Sequence, residues 1–366
     1  MRIHTSDEIR AIDRHAADML HVPTAWLMES AGRAVADAVV ALRGDRRGRV
    51  VVVCGKGNNG GDGWCAARHL AAHDVSVAVV TMFEINQLSP DARVHARAAL
   101  ASGVARASID LCPGPGDLIL DAVLGTGLTR AVVGAATELV DFIRRGRELG
   151  AIVVSIDLPS GLDADKPVPP GPCVEADVTL ALHALKPALV QHPAKRFAGE
   201  VKLRSLGLPE SAATPVRRLA RRADVDRLLL PRALDAHKGT AGHVLVVAGS
   251  AGKTGAAMLA GRGALRGGAG LVTLAMPSAL LDRVLPSMPE AMGLGLDDAS
   301  LSVLMKALDG KRAVVAGPGL GAADTLVETL LEAMAKTPVV SVLDADALNA
   351  LARNPGLAAR LAAARV

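Results

Sequence analysis

Short unbroken apolar runs recur along this chain. Each is followed by a break rich in glycine or proline, then by a segment with apolar positions three and four apart. Val50–Cys54 is the clearest run and reads as a strand buried on both faces. Residues 75–82, 117–121, 151–157 and 178–182 repeat it. Four helices are predicted in the first half. Thr5-Ser6-Asp7-Glu8 forms a capping box ahead of a helix starting near Asp7, with Ile9, Ile12, Ala16 and Met19 on one face. A second spans 25–42, with Thr24 as its cap and Trp26 and Met28 in the core. A third, 89–101, is opened by Pro90, and a fourth spans 137–149. Apolar strands alternating with helices predict an α/β fold whose parallel sheet is covered on both faces.

The pattern resumes later. Strands are expected at 244–248, 271–275, 313–316 and 338–343. The Ala- and Gly-rich stretch 255–267 suits a helix packed closely on a sheet. Between the two patterned regions, 205–231 carries scattered prolines and Arg217, Arg218, Arg221, Arg222 and Arg227, with Arg232 just beyond. A solvated connector is expected there rather than a nucleic-acid patch. At 366 residues, two domains follow: 1–210, a connector 211–232, and 233–366.

Composition narrows the partners. Half the residues are hydrophobic and 21% charged, as in ordinary soluble proteins. Three Phe, two Trp and no Tyr leave little with which to stack single-stranded nucleic acid, and a net charge of +4 adds no strong pull toward it. Cys54, Cys65, Cys112 and Cys173 lack metal-ligand spacing, so a reduced, cytoplasmic protein is expected. The first twenty residues are charged throughout and do not read as a signal peptide. No apolar stretch is long enough to span a bilayer. A small-molecule ligand, no nucleic acid, no membrane and a homo-oligomer are expected.

The chemistry begins where the Val50–Cys54 run breaks into Gly55-Lys56-Gly57-Asn58-Asn59-Gly60-Gly61-Asp62-Gly63. Strand, glycine-rich turn and helix together aim backbone N–H groups at a phosphate. The asparagines add carbonyl oxygens able to hold a cation or a sugar hydroxyl. Gly55-x-Gly57-x-x-Gly60 also fits the dinucleotide fingerprint, with Asp74 near the spacing of its ribose-binding acid, so a Rossmann-type dehydrogenase is one reading. Asp121 closes the next apolar run and precedes a second glycine-rich loop at Gly125. Asp157 closes another, with Ser160 three residues on. Ligands of parallel sheets bind beyond the carboxyl ends of the strands. Oxygen donors from three strand ends suit a hard cation, although strand-end aspartates also serve as caps and turn formers.

On GNNGGDG, DAVLGTG (121–127) and SIDLPSGLDAD (155–165), residues 6–208 resemble the NAD(P)H-hydrate epimerase family. The resemblance implies a Rossmann-like three-layer α/β/α domain. It implies that Asn58, Asn59, Gly60, Gly61 and Asp62, with Gly125, Thr126, Gly127, Leu128, Thr129, Arg130 and Ala131, cradle the nucleotide. It assigns a potassium ion to Asn59, Asp121 and Ser160. Asp157 would contact the hydrated nicotinamide as acid and base, epimerising the hydroxyl-bearing C6 of NADHX or NADPHX.

In the second half, Gly249-Ser250-Ala251-Gly252-Lys253-Thr254 is no Walker P-loop, because Val247 stands where its first glycine belongs. HKGTAGHVLVVAGS, LRGGAGLVTL, AGPGLG and DADALN resemble the ADP-dependent NAD(P)H-hydrate dehydratase family, which has a ribokinase-like α/β fold. The whole chain is thus similar to bifunctional repair enzymes. The resemblance places Ala256 and a glycine of AGPGLG, with Gly319 as the choice, at the hydrate, and implies ADP as co-substrate. The family's later His-Pro-Gly-Glu and Gly-Thr-Gly-Asp motifs do not occur in the 366 residues. An incomplete ribokinase-like domain, either a fragment or degenerate, is therefore expected, with little or no conversion to NAD(P)H. A small-molecule kinase and a non-catalytic nucleotide-binding module are the other readings weighed.

Overall fold

Strand β1 (Arg2–Ile3) leads into helix α1 (Ser6–Met19). Thr5 Oγ1 accepts from Glu8 N, and Glu8 accepts from Thr5 N at 2.7 Å, so the predicted capping box is present. This computed structural model describes residues 1–44, 48–209, 217–226, 233–337 and 339–357. The chain divides into two compact units, Met1–Leu229 and Leu230–Val366.

In the first unit α2 (Thr24–Arg43) is followed by β2 (Val50–Cys54), α3 (Asn58–Ala72), β3 (Val77–Val80), α4 (Pro90–Ala101), β4 (Ala105–Ala107) and β5 (Leu118–Ala122). Then come α5 (Ala135–Glu148), β6 (Ile152–Ile156), β7 (Val178–Leu182), β8 (Glu200–Arg204), β9 (Arg217–Arg218) and α6 (Arg222–Asp226). Seven strands form one sheet in the order β4-β3-β2-β5-β6-β7-β8, every pairing parallel. Strand periodicity explains its double burial. Val50, Val52, Leu118 and Leu120 face a core shared with α2, α3 and α4, while Val51, Val53 and Ile119 face one built around Leu139, Phe142 and Ile143 of α5.

Several expectations shift. Thr24 is not the side-chain cap of α2; Pro23 precedes the helix, and the Thr24 hydroxyl instead donates to Asp91 at 2.6 Å. Met28 is buried, but Trp26 is 64% exposed, because Leu27 and Met28 take the buried side of α2 and Trp26 lies outside it. Helix α3 starts at Asn58 rather than after the glycine string. Strands β4 and β8 escaped the sequence reading: Ala105–Ala107 is short and mostly exposed, and Glu200–Arg204 is polar. The arginine segment is partly structured. Arg217 and Arg218 pair antiparallel with Ile3 and Arg2, Arg221 bonds Asp224, and Arg222 lies 3.8 Å from Asp226. Arg227 and Arg232 lie outside the described residues.

The second unit holds β10 (His243–Val247), α7 (Thr254–Arg266), β11 (Leu271–Met276), α8 (Ser278–Val284), β12 (Met292–Gly295) and α9 (Leu301–Leu308). It continues with β13 (Ala313–Ala316), α10 (Asp324–Lys336), β14 (Val340–Leu343) and α11 (Asp346–Arg353). Its sheet, β12-β11-β10-β13-β14, is parallel throughout. Pro338, the expected start of the last strand, lies outside the described residues. Both units are therefore α/β with parallel sheets.

Candidate functional site

A cavity of about 560 Å³ opens at the carboxyl ends of β2, β5, β6 and β7. Gly55–Asn59 and Asp62 form one wall, Val123–Leu128 a second, and Asp157, Leu182, His183 and Lys186 a third; Asp13 of α1 also faces in. Its glycines have distinct reasons. A Cβ on Gly60 would run into the Gly55 carbonyl, and one on Gly61 would lie 2.5 Å from Met28 Sδ. One on Gly63 would lie 2.5 Å from Ala122 Cβ. These three let the start of α3 lie against β2, β5 and α2. A Cβ on Gly57 or Gly127 would meet nothing within 4 Å, so those two border open space.

Asp157 terminates β6 in the left-handed region, φ +64°, which Asp and Asn tolerate best among residues with a side chain. Its Oδ1 accepts from Leu182 N at 3.0 Å and from Lys186 Nζ. Lys186 is fully buried and also donates to the Leu182 carbonyl at 2.9 Å. Oδ2 takes no hydrogen bond among the described residues. Burial pushes the Asp62 carboxyl well above its ordinary value, and repulsion from Asp157 and Asp13 adds to it. Asp13 is raised for the same reasons, burial first and then Asp157. His183 is lowered by burial and by Lys186. One buried ammonium thus faces three carboxyl groups that cannot all ionise at ordinary cost.

Asp121 lies behind this wall, fully buried. Its Oδ1 accepts from Ser160 Oγ at 2.6 Å and from Val123 N at 3.3 Å. Its Oδ2 accepts from Ser155 Oγ at 2.8 Å and Ser160 N at 2.9 Å. Burial raises its carboxyl, against the lowering pull of those donors. Asn59 donates to the Leu124 carbonyl at 3.1 Å, and Ser160 Oγ lies 3.2 Å from the same oxygen. Asn59, Asp121 and Ser160 therefore meet around Leu124, with no basic side chain among the contacts described.

Other expectations resolve by position. Gly125–Leu128 line the cavity, whereas Thr129, Arg130 and Ala131 sit in an exposed part of the loop away from it. Gly60 and Gly61 are packed beneath the cavity rather than lining it. Asp74 follows the C-terminal end of α3, about 22 Å of helix from the glycine turn, so it cannot reach a ribose held there. The dehydrogenase reading loses its second support. Lys186, Asp13 and His183 went unseen. The signals were present: a lone lysine inside the apolar run 180–189, and an acid next to Ile12 on the apolar face of α1.

In the second unit, a Cβ on Gly319 (φ +66°) would lie 2.9 Å from Ala256 Cβ, so these two predicted residues adjoin. Ser250 Oγ donates to Gly319 O at 2.8 Å, and Gly321 N to Asp346 Oδ2 at 2.6 Å. The breaks after β10, β13 and β14 thus form one cluster at the carboxyl edge.

Comparison with known proteins fits both units. A family model for YjeF-related protein N-termini matches residues 24–188, and one for NAD(P)H-hydrate dehydratase matches 244–366. A bifunctional NAD(P)H-hydrate repair enzyme of Moorella thermoacetica is 33% identical, over 96% of this chain and 70% of its own length. The chain belongs to the bifunctional NAD(P)H-hydrate repair enzyme family. Members from Coxiella burnetii and Escherichia coli are 36% and 35% identical, each over 96% of this chain, and over 72% and 67% of their own lengths. The strand-end loops of the first unit, with Asp157, His183 and Lys186, fall within its family match, whereas Asp13 on the cavity wall precedes it. No described helix is long and apolar enough to cross a membrane.

Proposed function

We propose that the first unit epimerises C6-hydrated NADH and NADPH, with Asp157 handling the proton. The observation that carries this reading is the Asp157 carboxyl group. Lys186 and the Leu182 amide fix it through one oxygen, and its other oxygen is unengaged in a cavity walled by two glycine-rich loops. The ring nitrogen of the hydrate can expel the C6 hydroxyl as water once that hydroxyl is protonated. Water returning to the opposite face gives its proton to a base, which inverts C6 and restores the balance. Acid–base help of this kind supplies roughly 10²–10⁴-fold. Asp62, whose carboxyl is raised by burial and by its acidic neighbours, is the matching donor on the facing wall.

A potassium ion fits the second layer. Asp121 is buried with no counter-charge among the described contacts, Ser160 Oγ links it to the Leu124 carbonyl, and Asn59, whose Nδ2 donates to that carbonyl, has its amide oxygen left to offer. The ion would fix the loop carrying Leu124 and Gly125. In the second unit, the cluster of Ala256, Gly319 and Asp346 and the family match over 244–366 support ADP-dependent dehydration as the companion activity. Either activity takes a small-molecule substrate, and four free cysteines support a cytoplasmic place of work.

One assay tests these readings. R and S hydrates are incubated separately, with and without ADP and potassium, and the products are separated by chromatography. Interconversion without ADP is expected; recovery of each epimer unchanged overturns the proposal. The ADP arm reads the second unit. NAD(P)H formed only with ADP assigns dehydration to it, and no NAD(P)H leaves epimerisation as the activity of this polypeptide.

A further inference from the structure

Three helices of the first unit bring together a set of side chains that the cavity does not use. Glu29 of α2, Cys65 of α3 and His95 of α4 each offer a ligand atom, all within 4.8 Å of one another. Glu29 Oε2 lies 3.3 Å from Cys65 Sγ and 3.6 Å from His95 Nδ1. Tetrahedral bonds of about 2.0–2.3 Å place neighbouring ligands about 3.4–3.6 Å apart. The two measured spacings are those of a first coordination shell. His69, one helical turn from Cys65, puts Nε2 2.8 Å from Glu29 Oε1, the other oxygen of that carboxylate, and so steadies it from outside the three-ligand group. We propose that Glu29, Cys65 and His95, with water in the fourth position, bind a divalent cation of the zinc class.

The donor set fits that chemistry. Burial lowers His95, keeping its imidazole neutral, the form that ligates. Its Nδ1 is the nitrogen that faces Glu29, while its Nε2 is buried with no hydrogen-bond partner among the described residues. Glu29 is held at about 2 by Arg68, Cys65 and His69 despite the opposing effect of burial, and is ionised throughout the physiological range. Cys65 is a thiol, pushed far up by burial and by Glu29. Binding must therefore release its proton: the S–H bond is replaced by an S–metal bond and one proton leaves to solvent. The cysteines lack metal-ligand spacing along the sequence because these ligands come from three separate helices.

Arg68 is the competitor. Its guanidinium lies 2.6 Å from both Glu29 oxygens and 3.8 Å from Cys65 Sγ, supplying the positive charge a metal would bring. One carboxylate and one thiolate balance a dication without it, so Arg68 must turn outward when the metal enters. Its side chain is partly exposed and has room to do so.

Untagged full-length protein, stripped with chelator, is titrated with zinc by calorimetry and with cobalt by absorption. One equivalent of zinc, a thiolate-to-cobalt charge-transfer band and release of one proton per zinc are expected. The band should vanish in Cys65→Ser, and zinc affinity should fall at least about tenfold in His95→Gln. Arg68→Met should bind zinc more tightly than wild type, which a merely structural cluster does not predict. No stoichiometric zinc binding, or a cobalt spectrum without thiolate character in wild type, overturns the proposal. So does equal affinity in wild type and Cys65→Ser. No hydrate is added, so these outcomes are independent of the epimerase assay.

Discussion

Lys186 Nζ bonds Asp157 Oδ1, joining residues 29 apart in sequence into a buried ion pair at the cavity wall. The lysine is almost wholly buried and the aspartate mostly so, and charges removed from water in this way are costly unless paired. Replacing Lys186 by Met strands a carboxylate. Lys186→Met should lose about 3–5 kcal/mol of stability. Lys186→Met/Asp157→Asn should recover much of that loss without recovering activity. Denaturant melts of the two single variants and the double variant check this, and additive losses would show that the pair is not coupled.

Asp157→Asn alone is the sharper catalytic test, because Asn also tolerates the left-handed backbone found at this position. Epimerisation should fall roughly 10²–10⁴-fold, with NADPH affinity changed less than threefold. Chiral separation of the hydrates and a fluorescence titration measure the two quantities. Full activity in this variant would remove Asp157 from the mechanism.

The raised Asp62 carboxyl makes a prediction about pH. Between its ordinary value of 3.8 and its higher folded value, the folded protein holds a proton that the unfolded chain has released. Stability attributable to this group therefore declines as pH rises through that window. Asp62→Asn has no such decline. Its melting temperature relative to wild type should climb as pH rises above 4. A pH-independent difference would contradict the assigned direction. If Asp62 donates the proton, the same variant should lose epimerase activity while gaining stability at neutral pH.

Two glycines of the same string, Gly57 just before α3 and Gly63 within it, should respond differently. Gly63→Ala places a methyl group 2.5 Å from Ala122 Cβ and 2.9 Å from Cys54 Sγ, which should cost about 1–3 kcal/mol by overpacking. Gly57→Ala meets nothing and should stay within about 0.5 kcal/mol. Any larger effect of Gly57→Ala should appear in the KM for the hydrate, since that position borders the cavity.

Potassium should raise the melting temperature relative to equal choline chloride, and Asp121→Asn should abolish the difference. The substitution removes the buried negative charge that the ion would neutralise. Equal melting curves of wild type in the two salts would argue against the site.

Much of this arrangement was legible in sequence because parallel strands buried on both faces announce themselves as apolar runs. Their carboxyl ends then locate Asn59, Asp121, Asp157 and Ser160. What stayed hidden came from contacts between distant segments. Lys186 follows a strand end, and only packing shows that it turns back onto Asp157. Asp13 lies on a helix whose buried face reads as ordinary core. Trp26 misled in the other direction, since its neighbours Leu27 and Met28 take the buried side of α2 and leave it facing out. The glycine string hid the start of α3, because low intrinsic helix propensity at Gly60, Gly61 and Gly63 is overridden by the close approach that only glycine allows.

The pairing of Arg2–Ile3 with Arg217–Arg218 bears on where the first unit can be cut. An excised piece ending near residue 208 keeps every strand of the large sheet yet takes away the partner of β1. The hydrogen bonds from Met1 to the Leu219 carbonyl and from Leu219 N to Met1 O go with it. The segment that leads into α1 is then held by Leu185 and Asp165 without its strand partner, and α1 carries Asp13. A boundary drawn from motif coverage alone would therefore disturb a residue of the cavity wall from more than two hundred positions away, and expression of the isolated half should extend through Asp226.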